Sequence, residues 1–85
     1  MKKPIFRVFI TYEIKTIKGV KRGRKGVLDT FVLTSNLEEI KKDKETINRI
    51  CYVNKKKPDD VKINFLNIEI EDQYGETINR FPEEY

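Results

Sequence analysis

The chain contains no histidine, no tryptophan and no alanine, and it has a single cysteine. Each absence excludes chemistry. Without histidine there is no Ser-His-Asp triad, no Cys-His pair and no imidazole metal site. One cysteine allows neither an internal disulfide nor a thiolate zinc cluster. No apolar run approaches the roughly 20 residues of a membrane span. The start, Met1 to Arg7, has a basic opening, but Arg7 interrupts the apolar run and no small-residue cleavage site follows, so it does not read as a secretory leader. Small secreted domains usually carry disulfides. The chain therefore reads as cytoplasmic, with Cys51 reduced. Together these absences point away from an enzyme and imply no cofactor, no metal and no membrane partner.

The chain is 85 residues long, which is room for one core and one domain, 1–85. Its hydrophobic fraction is 38% and its charged fraction is also 38%, against about 25% charged in ordinary globular proteins. Eighteen cations against 14 anions give a net charge of +4. Thirteen of the cations are lysine, beside eleven isoleucines and six asparagines, a bias that AT-rich codons alone produce. The distribution of charge says more than the sum. Residues 1–28 carry net +8, residues 29–57 net +2 and residues 58–85 net −6. Such asymmetry marks either a polar partner or two chain ends that neutralise each other within one sheet.

The hydrophobic pattern predicts an α+β domain. Phe6, Val8, Ile10, Tyr12 and Ile14 alternate with more polar residues, which predicts a first strand over 5–17. Residues 18–26 hold three glycines and five cations and read as a long hairpin loop. A second strand follows at 27–34, with apolar residues on both parities. Ser35 or Asn36 offers an N-cap, Glu38 and Glu39 suit a first helical turn, and a helix is predicted over 37–52. Its stripe is Leu37, Ile40, Ile47, Ile50 and Cys51, with Lys44 near the middle. Asn54 suits a C-cap and Pro58 forbids continuation. A third strand is predicted over 61–71, with a phase slip at Phe65–Leu66 that marks a bulge. Residues 77–81 offer a short fourth strand and 82–85 a tail. The expected order is β-β-α-β, an antiparallel sheet in order 2-1-3 with the helix on one face.

Three features could carry function. Lys18, Lys21, Arg22, Arg24 and Lys25 cluster on the hairpin, where they could follow a phosphate backbone or simply keep the loop solvated. Gly19, Gly23 and Gly26 match neither the Walker A nor the dinucleotide pattern. Arg7 and Phe9 fall on the strand face away from the helix, where an exposed aromatic, alone or joined by Phe31, suits a protein partner, a homodimer or base stacking. Glu69 and Glu71 share one strand face, but nothing else supports an acid/base or Mg²⁺ site beside them. Cys51 lies on the apolar stripe and reads as structural.

Phe9-Ile10-Thr11-Tyr12, the turn Lys25-Gly26-Val27 and Asp29-Thr30-Phe31-Val32-Leu33, followed by a Lys/Glu/Ile-rich helix and Asp60-Val61-Lys62-Ile63-Asn64-Phe65, resemble small uncharacterised proteins of phages and mobile elements of low-GC Gram-positive bacteria. The resemblance covers most of residues 6–66 and brings no catalytic residues. The basic hairpin is longer here, and the chain extends past Glu71. The resemblance implies an accessory protein that binds and inhibits a host or defence protein; that is an association of context. The alternative is a nucleic-acid-binding module that uses the basic hairpin as a phosphate clamp.

Overall fold

The computed structural model describes residues 5–18 and 23–82. The elements are β1 (Phe6–Thr16), β2 (Arg24–Val32), α1 (Leu37–Lys42), α2 (Lys44–Val53), a 3₁₀ turn (Pro58–Asp60), β3 (Val61–Glu71) and β4 (Thr77–Phe81). The strands form one antiparallel sheet in the order β2-β1-β3-β4. The long apolar strand β1 is internal, and residues 77–81 extend the sheet beyond β3.

One face of the sheet makes the core. Val8, Ile10, Tyr12 and Ile14 of β1 are buried with Val32 of β2, Val61, Ile68 and Ile70 of β3, and Ile40, Ile50 and Cys51 of the helices. Burying each large side chain contributes roughly 1.5–3 kcal/mol. The register between β1 and β3 shifts where Thr11 faces Asn67 but Tyr12 faces Phe65, which leaves Leu66 as the extra residue. This shift explains the phase slip in the sequence. It lets Val61, Ile63 and Phe65 share the core face with Ile68 and Ile70.

Strand β2 begins earlier than its apolar pattern suggests and ends at Val32 rather than residue 34. Arg24, Lys25 and Gly26 pair with Ile14, Glu13 and Tyr12, so they belong to the sheet and not to a loop. The opposed charges of Lys25 and Glu13 support this pairing. The mixed parity of β2 also resolves: Thr30 and Val32 are buried, whereas Val27 and Phe31 are 69% and 65% exposed on the other face.

The single helix expected over 37–52 is two helices. Asp43 has an extended backbone (φ −68, ψ 119) and serves as both the C-cap of α1 and the N-cap of α2. Its carboxylate accepts from the Thr46 amide at 3.3 Å and from the Thr46 hydroxyl at 2.8 Å. The break resets the helical phase. Thr46 turns inward, 2% exposed with its hydroxyl satisfied, and Lys44 turns to solvent. A continuous stripe had required Lys44 near the core; capping removes that conflict. At the start of α1, Asn36 is the cap, its side chain accepting from the Glu39 amide at 3.1 Å.

Candidate binding surfaces

The hairpin end of the sheet is basic, and the fold adds to it cations that lie far away in the chain. Arg24 faces the helix side beside Ile14, and Lys25 faces the other side beside Glu13. Lys15 pairs with Lys62 across β1 and β3. Lys15, Arg24, Asn54 and Lys56 line one small pocket of about 160 Å³, with Ile14, Thr16 and Val61 as its apolar wall. The Lys15 ammonium itself lies on the other face of the sheet, 3.4 Å from the Glu13 carboxylate. Lys18 is exposed next to the same strand end. Lys21 and Arg22, the other two hairpin candidates, lie outside the described residues.

The end of α2 places Lys56 there. The amide of Asn54 donates to the Ile50 carbonyl, that of Lys55 to Tyr52 and that of Lys56 to Cys51. The last two bonds form a Schellman motif, with Lys55 in the left-handed position at φ 56. This position usually takes glycine. The Asn54 side-chain amide also donates to the Ile50 carbonyl at 2.7 Å and to the Tyr12 hydroxyl at 2.9 Å. The terminal carbonyls of α2 are thereby covered, which reduces the partial negative charge that a bare helix end would present to an anion.

Gly26 has a structural task. A Cβ on Gly26 would come within 2.5 Å of the Tyr12 hydroxyl oxygen. The missing side chain is what lets Tyr12 lie across β2 and reach Asn54.

The second surface is the sheet face opposite the helices. Arg7 lies there and donates to both oxygens of Asp29, at 3.1 and 2.8 Å. Its guanidinium also sits 4.7 Å from the centre of the Phe9 ring. The hydrogen bonds from Arg7 hold the Asp29 carboxyl below the usual carboxylate range, and the same bonds raise the Arg7 guanidinium. Phe9 is only half-exposed; Phe31 and Val27, on the edge strand, are the more open apolar residues. Ile5, Arg7, Phe31, Glu71, Asp72, Gln73 and Gly75 line an open groove at the far end of this face.

Glu69 and Glu71 do share the open face, opposite Phe9 and Arg7. Asp72 is committed to its turn, where its carboxylate accepts from the amides of Tyr74 and Glu76. Among the described residues, no three His, Cys, Asp or Glu side chains are grouped to hold a metal. No helix there is long and apolar enough to cross a membrane. Cys51 is 1% exposed, and burial pushes its thiol pKa up, so it stays protonated.

No family model, curated protein or solved structure matches the chain. The binding surfaces therefore stand on their geometry. Sequence reading missed Lys15, Lys56 and Lys62 as members of the basic end. The run Lys55-Lys56-Lys57 was visible, but its position beside Arg24 depends on where α2 stops.

Proposed function

We propose that the protein acts by binding rather than by catalysis, and that its partner is a nucleic acid whose phosphate backbone seats on the basic end of the sheet. One observation carries this reading: Lys56, from the end of α2, lines the same pocket as Arg24 from β2. Two cations distant in the chain meet at a space of a few waters' volume, with an amide donor, Asn54, beside them. Lys18 is exposed at the same strand end and extends the positive surface.

Anisotropy of a labelled oligonucleotide tests this. Each phosphate contact adds about −0.7 (single strand) to −0.9 (duplex) to the slope of log K against log salt. Contacts from Arg24 and Lys56 give a slope of about −1.5 to −2. Changing both Arg24 and Lys56 to Ala should lower the affinity and make the slope shallower by about two contacts. Absence of binding at low salt, or binding that the double variant leaves unchanged, rules the reading out.

A second reading, an accessory protein that inhibits a host or defence protein, is favoured by the exposed Phe31 beside Arg7 and by the exposed Val27 on the same face. The phage or mobile-element setting adds only association.

A further inference from the structure

The open sheet face is electrically polarised along its strands. Lys15, Lys25 and Lys62 project from it at the hairpin end with Glu13 among them, and Asp29, Glu69 and Glu71 at the other with Arg7 and Arg80 among them, so the two ends differ in the sign of their net charge. Between them runs an uncharged row, in which Thr11 pairs with Val27 on one side and Asn67 on the other. Lys25 and Asp29 lie two residues either side of Val27 on the same strand. They are therefore equidistant from the centre and opposite in charge.

We propose that two copies of the chain pack through this face, head to tail, about a two-fold axis that crosses the strands along the Thr11 row. The proposal is independent of the nucleic-acid reading, because the Arg24–Lys56 pocket opens on the helix side of the sheet. Rotation about this axis turns each strand end for end. Lys25 of one copy then lies over Asp29 of the other, and Lys62 over Glu71, twice each by symmetry. The exposed Val27 side chains meet at the centre. Lys15 comes over the second copy's Arg7, a like-charge contact offset by the Asp29 carboxylate that Arg7 already holds. The alternative axis, along the strands, sets lysine end on lysine end and acid on acid, so electrostatics select the head-to-tail pair.

The area suffices for a reversible dimer. Three strands of about ten residues, spaced ~4.8 Å with ~3.3 Å per residue, give roughly 475 Å² of projected face per copy, β4 lying outside the overlap. The total of roughly 950 Å² is that of a weak, transient association.

Sedimentation equilibrium of the full chain over a range of concentration and salt tests the proposal, with circular dichroism confirming that each variant is folded. The wild type should dimerise reversibly, more weakly as salt rises. Lys62→Glu alone and Glu71→Lys alone should each weaken the dimer by about tenfold or more. Mixing these two single variants should restore it, because both cross-contacts then join opposite charges. The double variant carrying both changes should also dimerise. A chain that stays monomeric at high concentration and low salt overturns the proposal, including one that binds a different protein on this face. A dimer indifferent to both single variants overturns it too.

Discussion

The side-chain amide of Asn54 donates to the hydroxyl of Tyr12 at 2.9 Å, joining residues 42 apart in the chain. Tyr12 belongs to the internal strand and Asn54 closes the second helix. This bond ties the helix end to the sheet beside the cations that the fold gathers there.

Asn54→Ala removes this bond and the one from the same amide to the Ile50 carbonyl. A net loss of about 1–3 kcal/mol is expected from two part-buried hydrogen bonds. Tyr12→Phe should cost about 1 kcal/mol. In urea unfolding, the double variant should cost less than the sum of the two. Strict additivity would show that the bond contributes nothing.

Gly26→Ala forces a methyl group against the Tyr12 ring and hydroxyl, where the space is 2.5–2.6 Å. The ring must shift and its bond to Asn54 must lengthen or break. Destabilisation of about 1–3 kcal/mol is expected, the usual cost of overpacking. Gly75→Ala provides the contrast: nothing lies within 4 Å of its Cβ, so its cost comes from the backbone at φ 80 alone. Combining Gly26→Ala with Tyr12→Phe should recover little, because the ring is retained. Tyr12→Leu should relieve more of the clash.

Lys55→Gly should stabilise the protein by about 0.5–1 kcal/mol. Lysine at φ 56 carries the left-handed penalty of an L side chain. Glycine removes that penalty and completes the Schellman motif in its preferred form, at some cost in unfolded-state entropy. A shift of the urea midpoint to higher concentration, with an unchanged slope, is the expected result. A lower midpoint would mean that the lysine stem packs usefully where it stands.

The Asp29 carboxyl should titrate below the ordinary aspartate range, because the Arg7 guanidinium holds its ionised form by hydrogen bonding and charge. A depressed pKa in the folded state means that the stabilising contribution is complete above the unfolded value of about 3.9. It is lost as the pH falls through the lower, folded-state value. Carboxyl NMR titration should show the Asp29 midpoint rising when Arg7 is changed to Ala. An unmoved midpoint would show that the pair does not persist in solution. Both groups are exposed, so the effect on global stability should be small.

The alternating apolar residues of β1 were enough to determine a strand with one buried face, because a period of two puts one set of side chains on one side. The phase slip at Phe65–Leu66 likewise specified a bulge in β3, and Ser35 or Asn36 at one end, with Asn54 and Pro58 at the other, bracketed the helical segment. All of these are local effects, legible from spacing and side-chain type. The break at Asp43 was not legible. Residues 37–52 have a tolerable helical stripe, and only packing against the sheet makes it better to bury Thr46 than to bring Lys44 inward. The binding surfaces divide in the same way. The basic hairpin was visible as a cluster in the sequence, and the open face followed from having one helical layer. That Lys56 stands beside Arg24, and that Lys25 and Lys62 oppose Asp29, Glu69 and Glu71 along one face, was decided by strand register and by the helix end. The sequence fixes how many charges there are, but only long-range pairing sets the distances between them.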